Sequence, residues 1–182
     1  YLRPNLRHGK LSMMVGEGEP WVQAEAVIDR SQTMPISGRQ YTCRIALVNH
    51  DDATLRNVEV KLTSLEKRPK NFPATGSHLK LRHGQAGATN CNVYPTKDPQ
   101  CLDATFVDVF SYFVGFEGSS FLRVMSLPED VNRSIPVDTY EAKIMAISES
   151  GEMVVAELAF IPRPDQIPEF RILKMQSFPG AA

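Results

Sequence analysis

The sequence predicts an all-β protein, an antiparallel β-sandwich of about eight to nine strands with long central loops. Two observations lead to this prediction: short segments alternate apolar and polar residues, and clusters of turn-forming residues separate them. A third observation is that no segment of about 12 residues shows the 3.6-residue period of an amphipathic helix. No repeat of the solenoid or propeller kind recurs along the chain.

The first predicted strands lie between residues 21 and 62. Residues 21–28 alternate, and the face expected to be buried carries Val22, Ala24, Ala26 and Ile28. Residues 41–49 and 55–62 also alternate, and the polar turn Asn49 to Asp52 separates them. This arrangement indicates either a β-hairpin or a corner between two sheets. Charged residues of these strands, such as Arg44, are expected to face water.

The middle of the chain is rich in loops and the last third is regular. Residues 66–78 and 84–100 contain Pro and Gly without a period, and a short strand is expected at residues 79–82. Residues 103–113 are apolar at both parities, which indicates burial on two sides or a bulge. Two alternating segments, 140–147 and 153–161, surround the turn Ser148 to Gly151 and predict a β-hairpin. Short strands are also expected at 121–125 and 170–175.

The composition bounds the organisation of the chain. The 182 residues carry 20 Lys and Arg against 21 Asp and Glu, and 42% are hydrophobic. This balance argues against wholesale disorder and against a dedicated nucleic-acid binder, because phosphate contacts need a basic excess. No apolar run approaches the roughly 18 residues of a membrane span. We expect an N-terminal arm or linker over residues 1–19 with one short strand at residues 10–15, a sandwich over 20–175 and a tail over 176–182, in a mature or excised fragment.

Residues for chemistry are sparse, and we expect no enzyme, no cofactor and no metal. The glycine pairs lack the helix and Lys partner of a phosphate-binding loop. The histidines and cysteines lack zinc-ligand spacing. An odd number of cysteines favours a cytoplasmic over a secreted location, and a Cys91–Cys101 disulfide stays open. Asp108 shares a parity with phenylalanines, so it needs either a buried partner or, as we expect, a bulge or edge that reaches water.

Two surface features are candidates for binding a partner. The basic residues Lys67, Arg68, Lys70, Lys80 and Arg82 concentrate one sign of charge, although a solvated loop and strand edge are the simpler explanation of them.

Phe116 lies between Gly115 and Gly118, where a loop tip would expose an aromatic anchor for a protein contact.

Two segments resemble a known kind of module. The stretches RIALVNHDDATLRNVEVKLTSLE (residues 44–66) and PVDTYEAKIMAISESGEMVVAELAFI (residues 136–161) are similar to immunoglobulin-like β-sandwich accessory modules of multidomain bacterial and phage-related proteins. The chain departs from antibody domains, since it has no Cys–Trp–Cys core and Trp21 precedes the central strands. The resemblance implies a scaffold for binding or assembly and brings no catalytic residues.

We therefore predict a non-enzymatic interaction or assembly module that binds a protein partner or self-associates through loops and an edge strand. In a sharper version, the strand with Phe170 and Ile172 leaves its own sandwich and pairs with a neighbour.

The alternatives are a carbohydrate- or nucleic-acid-binding module that uses Trp21, Phe116 and the basic residues, and a hydrolase. The hydrolase would need a deep pocket that holds at least two of His50, His78, His83, Asp103 and Asp108.

Overall fold

The computed structural model describes residues 9–30, 33–66, 77–82, 87–127, 134–164 and 166–181. These residues form thirteen strands and no helix. The strands are β1 (Leu11–Met14), β2 (Val22–Asp29), β3 (Ile36–Asn49), β4 (Leu55–Leu65), β5 (Ser77–His78), β6 (Lys80–Leu81), β7 (Asn90–Val93), β8 (Thr105–Gly115), β9 (Ser120–Val124), β10 (Ser134–Ile135), β11 (Tyr140–Ile147), β12 (Met153–Ile161) and β13 (Glu169–Phe178).

The strands form two antiparallel sheets that pack face to face, which confirms the predicted β-sandwich. Sheet A has seven strands in the order β1-β3-β8-β9-β10, with β2 also on β3 and β6 also on β8. Sheet B has six, in the order β13-β12-β11-β4-β5, with β7 also on β4. The strand count exceeds the prediction mainly because β5, β7 and β10 have four residues or fewer, too short for alternation to reveal.

The core between the sheets is rich in aromatic rings. Phe110 of sheet A lies 5.1 Å from the Phe160 ring of sheet B, and Tyr112 lies 5.8 Å from the same ring. Burying each side chain of this size contributes roughly 1.5–3 kcal/mol. Cys43 is fully buried among these residues, and burial raises the pKa of its thiol well above the ordinary value.

The segment between β3 and β4 is a corner between the sheets, one of the two predicted alternatives. Asn49, fully buried at the end of β3, donates its side-chain amide to the carbonyl oxygens of Ala53 (2.8 Å) and Val93 (3.0 Å). Its own side-chain oxygen accepts from the Asp51 N–H at 3.0 Å. These bonds satisfy buried polar groups while the chain crosses from sheet A to sheet B.

Strand β8 is buried on both sides and also contains a bulge. Its register with β3 shifts between Cys43, which faces Phe110, and Arg44, which faces Asp108, so Val109 is the extra residue. On the outer face of sheet A, Trp21 meets Phe106 edge-on at 6.2 Å, and both belong to a second buried apolar cluster. This small outer core explains why both parities of β8 are apolar.

The ends of the sandwich differ from the bounds expected. Strand β1 lies within residues 1–19, and its Leu11 is fully buried in the core. Strand β13 continues to Phe178 and pairs along its length with β12 of the same chain. Phe170 is buried 6.1 Å from the Phe110 ring, and Ile172 packs against the core. In this fold Phe170 is buried and Ile172 is partly buried.

Candidate functional site

Part of sheet A extends beyond sheet B and leaves one of its faces uncovered. On β3, Cys43, Ile45 and Leu47 point into the core and are fully buried. Ser37 and Arg39 have the same parity but are exposed. We call this projecting part the overhang: residues 24–29 of β2, 33–35 of the β2–β3 connection, 36–40 of β3, and 113–121 of the β8–β9 hairpin. It positions the surface described next.

The overhang carries three large exposed apolar side chains. Ile28 is 57% exposed, Met34 75% and Phe116 70%. Ile28 lies opposite Ser37 on one side of β3, and the Phe116 N–H donates to the Ser37 carbonyl on the other side at 3.0 Å. Residues directly opposite one another share a face of a sheet, so Ile28 and Phe116 flank Ser37 on one face. Met34 lies in the connection between β2 and β3.

Phe116 lies where the sequence places it, at the turn that joins β8 to β9. Gly118 has a φ of 91°, in the left-handed region that favours glycine. Its N–H donates to the Gly115 carbonyl at 3.1 Å. This tight turn leaves the ring of Phe116 in water, and its role as a partner contact stays a prediction.

Ile28 was assigned to the buried face, and that assignment is wrong. It shares a parity with buried Val22, but Ala24, Ala26 and Ile28 are all exposed. The reason is that sheet B covers the start of β2 and not the rest. Alternation shows which residues share a face and does not show how far the opposite sheet extends. Met34 was not predicted, although an apolar residue between two strands is a usable signal.

The other face of the overhang forms a shallow groove of about 260 Å³, lined in part by Val27, Gln40 and Arg123. Its floor is a parallel stack of Phe113 and Phe121, with ring centroids 5.0 Å apart and an 8° angle between planes. Gly38 makes room for this stack, since a Cβ atom there would lie 2.6 Å from the Phe113 ring. The stack stiffens the hairpin that presents Phe116.

The basic residues divide between described and undescribed parts of the chain. Lys67, Arg68 and Lys70 lie outside the described residues. Arg82 places its guanidinium 5.8 Å from the centre of the Phe106 ring, a cation–π arrangement. It lines a depression of about 420 Å³ together with Glu19 and Asp103. The described part of the basic cluster therefore mixes charges of both signs.

Lys80, the other described member of the cluster, lies in β6 opposite Asp108 of β8.

Asp108 is buried and paired, so the expectation that it reaches water is wrong. Arg44 Nε donates to Asp108 Oδ1 at 2.6 Å, and both side chains are 9% exposed. The Arg44 guanidinium also donates to Gln23 Oε1 at 2.6 Å and to the Pro20 carbonyl at 3.4 Å. Arg44 was expected to face water, but the segment before β2 covers it. The bulge in β8 was predicted correctly, and the ion pair occupies that position.

The candidates for a hydrolytic site are held by different neighbours. His50 Nε2 lies 2.7 Å from Ser12 Oγ, and His78 Nε2 lies 3.7 Å from Glu59 Oε2. Asp103 accepts the backbone N–H groups of Lys97 (2.8 Å) and Asp98 (3.2 Å), and these bonds hold the pKa of its carboxyl below the ordinary value. His83 lies outside the described residues. The described residues thus give no support to a shared pocket.

The cysteines and the possible metal ligands can be described in the same way. Cys43, Cys91 and Cys101 are free thiols, and burial raises the pKa of Cys91 to about 11. Within the described ranges, no group of three or more His, Cys, Asp or Glu side chains is close enough to hold a metal ion.

Comparison with known proteins does not assign this chain to a family. No protein-family model, no curated protein and no solved structure matches this chain. In the described part of the chain, no helix has the length and apolar character required to cross a membrane. The resemblance to immunoglobulin-like accessory modules therefore stays a prediction.

Proposed function

We propose that this protein is a non-enzymatic interaction module that binds a protein partner through the overhang of sheet A. The observation that carries the proposal is the exposure of Ile28, Met34 and Phe116 on one projecting end of a sheet. Large apolar side chains that cluster in water commonly mark contact sites, and aromatic anchors dominate the energetics of such contacts. The immunoglobulin-like scaffold suggested by the sequence agrees with this proposal.

Other parts of the molecule favour the alternatives less. Trp21, the expected stacking ring of a carbohydrate or nucleic-acid site, is only 8% exposed beside Phe106. Phe170 and Ile172 would contact a partner only if β13 gave up its pairing with β12. The overhang needs no such rearrangement.

The proposal is tested with a photo-crosslinking amino acid at position 116, introduced into the whole natural protein in its own cells. The control position is Tyr94, which is 64% exposed and follows β7 near Asn49, at the opposite end of β3. Residues 37 and 49 of β3 are about 40 Å apart. We expect one defined cross-linked protein from position 116 that is not obtained from position 94, and that is lost with Met34→Ser.

Two results would contradict the proposal: no cross-linked protein from position 116, or the same products from both positions. Thermal unfolding of each variant controls for the fold, and substitutions at exposed positions should change stability by no more than about 0.5 kcal/mol.

A further inference from the structure

The outer edge of β2 presents backbone hydrogen-bonding groups toward solvent. The Arg44 N–H donates to the Trp21 carbonyl at 2.7 Å. This bond identifies which residues of β2 hydrogen-bond to β3 and which do not. Antiparallel strands alternate between residues that bond to the neighbour and residues whose N–H and C=O point away. The register of Ala24 with Tyr41 and of Ala26 with Arg39 therefore directs the backbone groups of Ala24, Ala26 and Ile28 away from β3.

None of the described strands pairs with this edge. Among the described residues, β3 is the sole hydrogen-bonded neighbour of β2. The side chains along the edge are also exposed, from Ala24 to Ala26 and again at Ile28. A long, exposed edge strand of this kind is a template for another strand, and several peptide-binding domains use such an edge.

The charge on this segment indicates what kind of strand would fit. Residues 16–29 contain four carboxylates, Glu17, Glu19, Glu25 and Asp29, and no Lys or Arg. Along β2 the two faces differ: Ala24, Ala26 and Ile28 alternate with Gln23, Glu25, Val27 and Asp29. An added strand would therefore place alternate side chains beside the row of Ala24, Ala26 and Ile28 and beside the row that carries Glu25 and Asp29.

We propose that the β2 edge accepts an extended segment of the protein partner in which apolar residues alternate with Lys or Arg. This inference rests on the proposed function, because it states how the partner of the overhang is recognised. A second copy of this chain fits less well, since residues 16–29 carry four carboxylates and no Lys or Arg, and pairing two β2 strands brings these like charges together.

The test uses a synthetic peptide of about eight residues, capped at both ends, in which Val alternates with Lys, and a matched peptide in which Val alternates with Glu. Binding of each to the whole chain is measured by fluorescence anisotropy at low salt. We expect the Lys peptide to bind at least about tenfold more tightly than the Glu peptide, and Glu25→Lys to reduce that preference.

Ala26→Pro tests the strand-addition geometry directly. The Ala26 N–H points away from β3, so proline removes a donor of the open edge and leaves the β3 ladder intact. We expect Ala26→Pro to weaken binding of the Lys peptide about tenfold, whereas the matched Ala26→Ser binds as the wild type does. Circular dichroism establishes whether each variant is folded. If Ala26→Pro does not fold, the inference is tested by the loss of the preference for the Lys peptide in Glu25→Lys.

Three results would overturn the inference. The two peptides could bind equally weakly or equally well, or a folded Ala26→Pro could bind the Lys peptide as well as Ala26→Ser does. Sedimentation could also show a dimer that Ala26→Pro dissociates, which would make a second copy the occupant. The cross-link from position 116 is a separate measurement, so the proposed function can stand when this inference fails.

Discussion

Strands β1 and β2 lie along the same side of β3, but among the described strands only β1 has a partner at its outer edge. The outward carbonyl of Leu11 accepts the Ser177 hydroxyl at 2.7 Å, and the Met13 N–H points to Met175 Sδ at 3.2 Å. Both partners belong to β13 of the opposite sheet. At β2 no described strand plays this role. The comparison shows that the outward backbone groups of β1 are bonded by side chains of the opposite sheet. Pairing with β3 alone does not satisfy such groups.

The two segments also differ in what their side chains bury. Leu11 is 0% and Met13 3% exposed, whereas Ile28 is 57% exposed. Both strands pair with β3 in continuous antiparallel register. The same backbone arrangement therefore serves stability in one half of the edge and leaves the other half available for binding.

The largest effect is expected at the junction between the two segments. Arg44 lies between the β3 residues that pair with β2 and those that pair with β1. The substitution Asp108→Ala leaves the Arg44 guanidinium buried without a counter-charge. This should lower the free energy of unfolding by about 3–5 kcal/mol. Urea unfolding measures this loss.

Replacing both partners, Arg44→Met with Asp108→Leu, removes the unpaired charge and should recover most of that stability. A loss below about 1 kcal/mol in Asp108→Ala would mean that the ion pair does not fix the junction.

The next largest effect compares one apolar residue from each segment. Leu11→Ala deletes a side chain that is fully buried in the core and should destabilise the protein by about 2–5 kcal/mol. Ile28→Ala changes an exposed side chain and should cost no more than about 0.5 kcal/mol. Denaturant unfolding of both variants checks the difference, and equal losses would show that sheet B covers the overhang.

The smallest effect is an alternation in amide hydrogen exchange along β2. The outward amides of Ala24, Ala26 and Ile28 should exchange about tenfold or more faster than the β3-facing amides of Gln23 and Glu25, a difference of about 1.4 kcal/mol. Exchange monitored by NMR resolves single residues. Uniform protection along β2 would indicate that its outer edge is already occupied.

Much of the fold follows from local alternation in the sequence. The β11–β12 hairpin was predicted from two alternating segments around a turn, and in the structure Tyr140 faces Phe160 across it. The corner at Asn49 also follows from a polar cluster between two alternating segments. Strand β6 lies within the segment 79–82 that was predicted to be a strand. The strands β5, β7 and β10 could not be predicted, because their pairing depends on partners far away in the sequence and not on their own pattern.

The candidate site was only partly predictable, for a related reason. The exposure of Phe116 follows from the glycines around it. The exposure of Ile28 and the burial of Arg44 depend on which second layer covers each face of sheet A: sheet B stops short of Ile28, and the segment around Pro20 crosses over Arg44. The alternation of residues along a strand assigns each side chain to a face of the sheet. Only tertiary packing decides whether that face is buried.

The bond between Ser177 and Leu11 affects how the protein is made. It joins residues 166 positions apart, so β1 is synthesised long before the strand that closes it. At about 5–20 residues per second, that interval lasts roughly 8–33 seconds. Until β13 emerges, the β1 edge is as open as that of β2 and equally exposed to strands of neighbouring nascent chains. Strand β13, which is translated after the other described strands, thus creates the difference between the two edges.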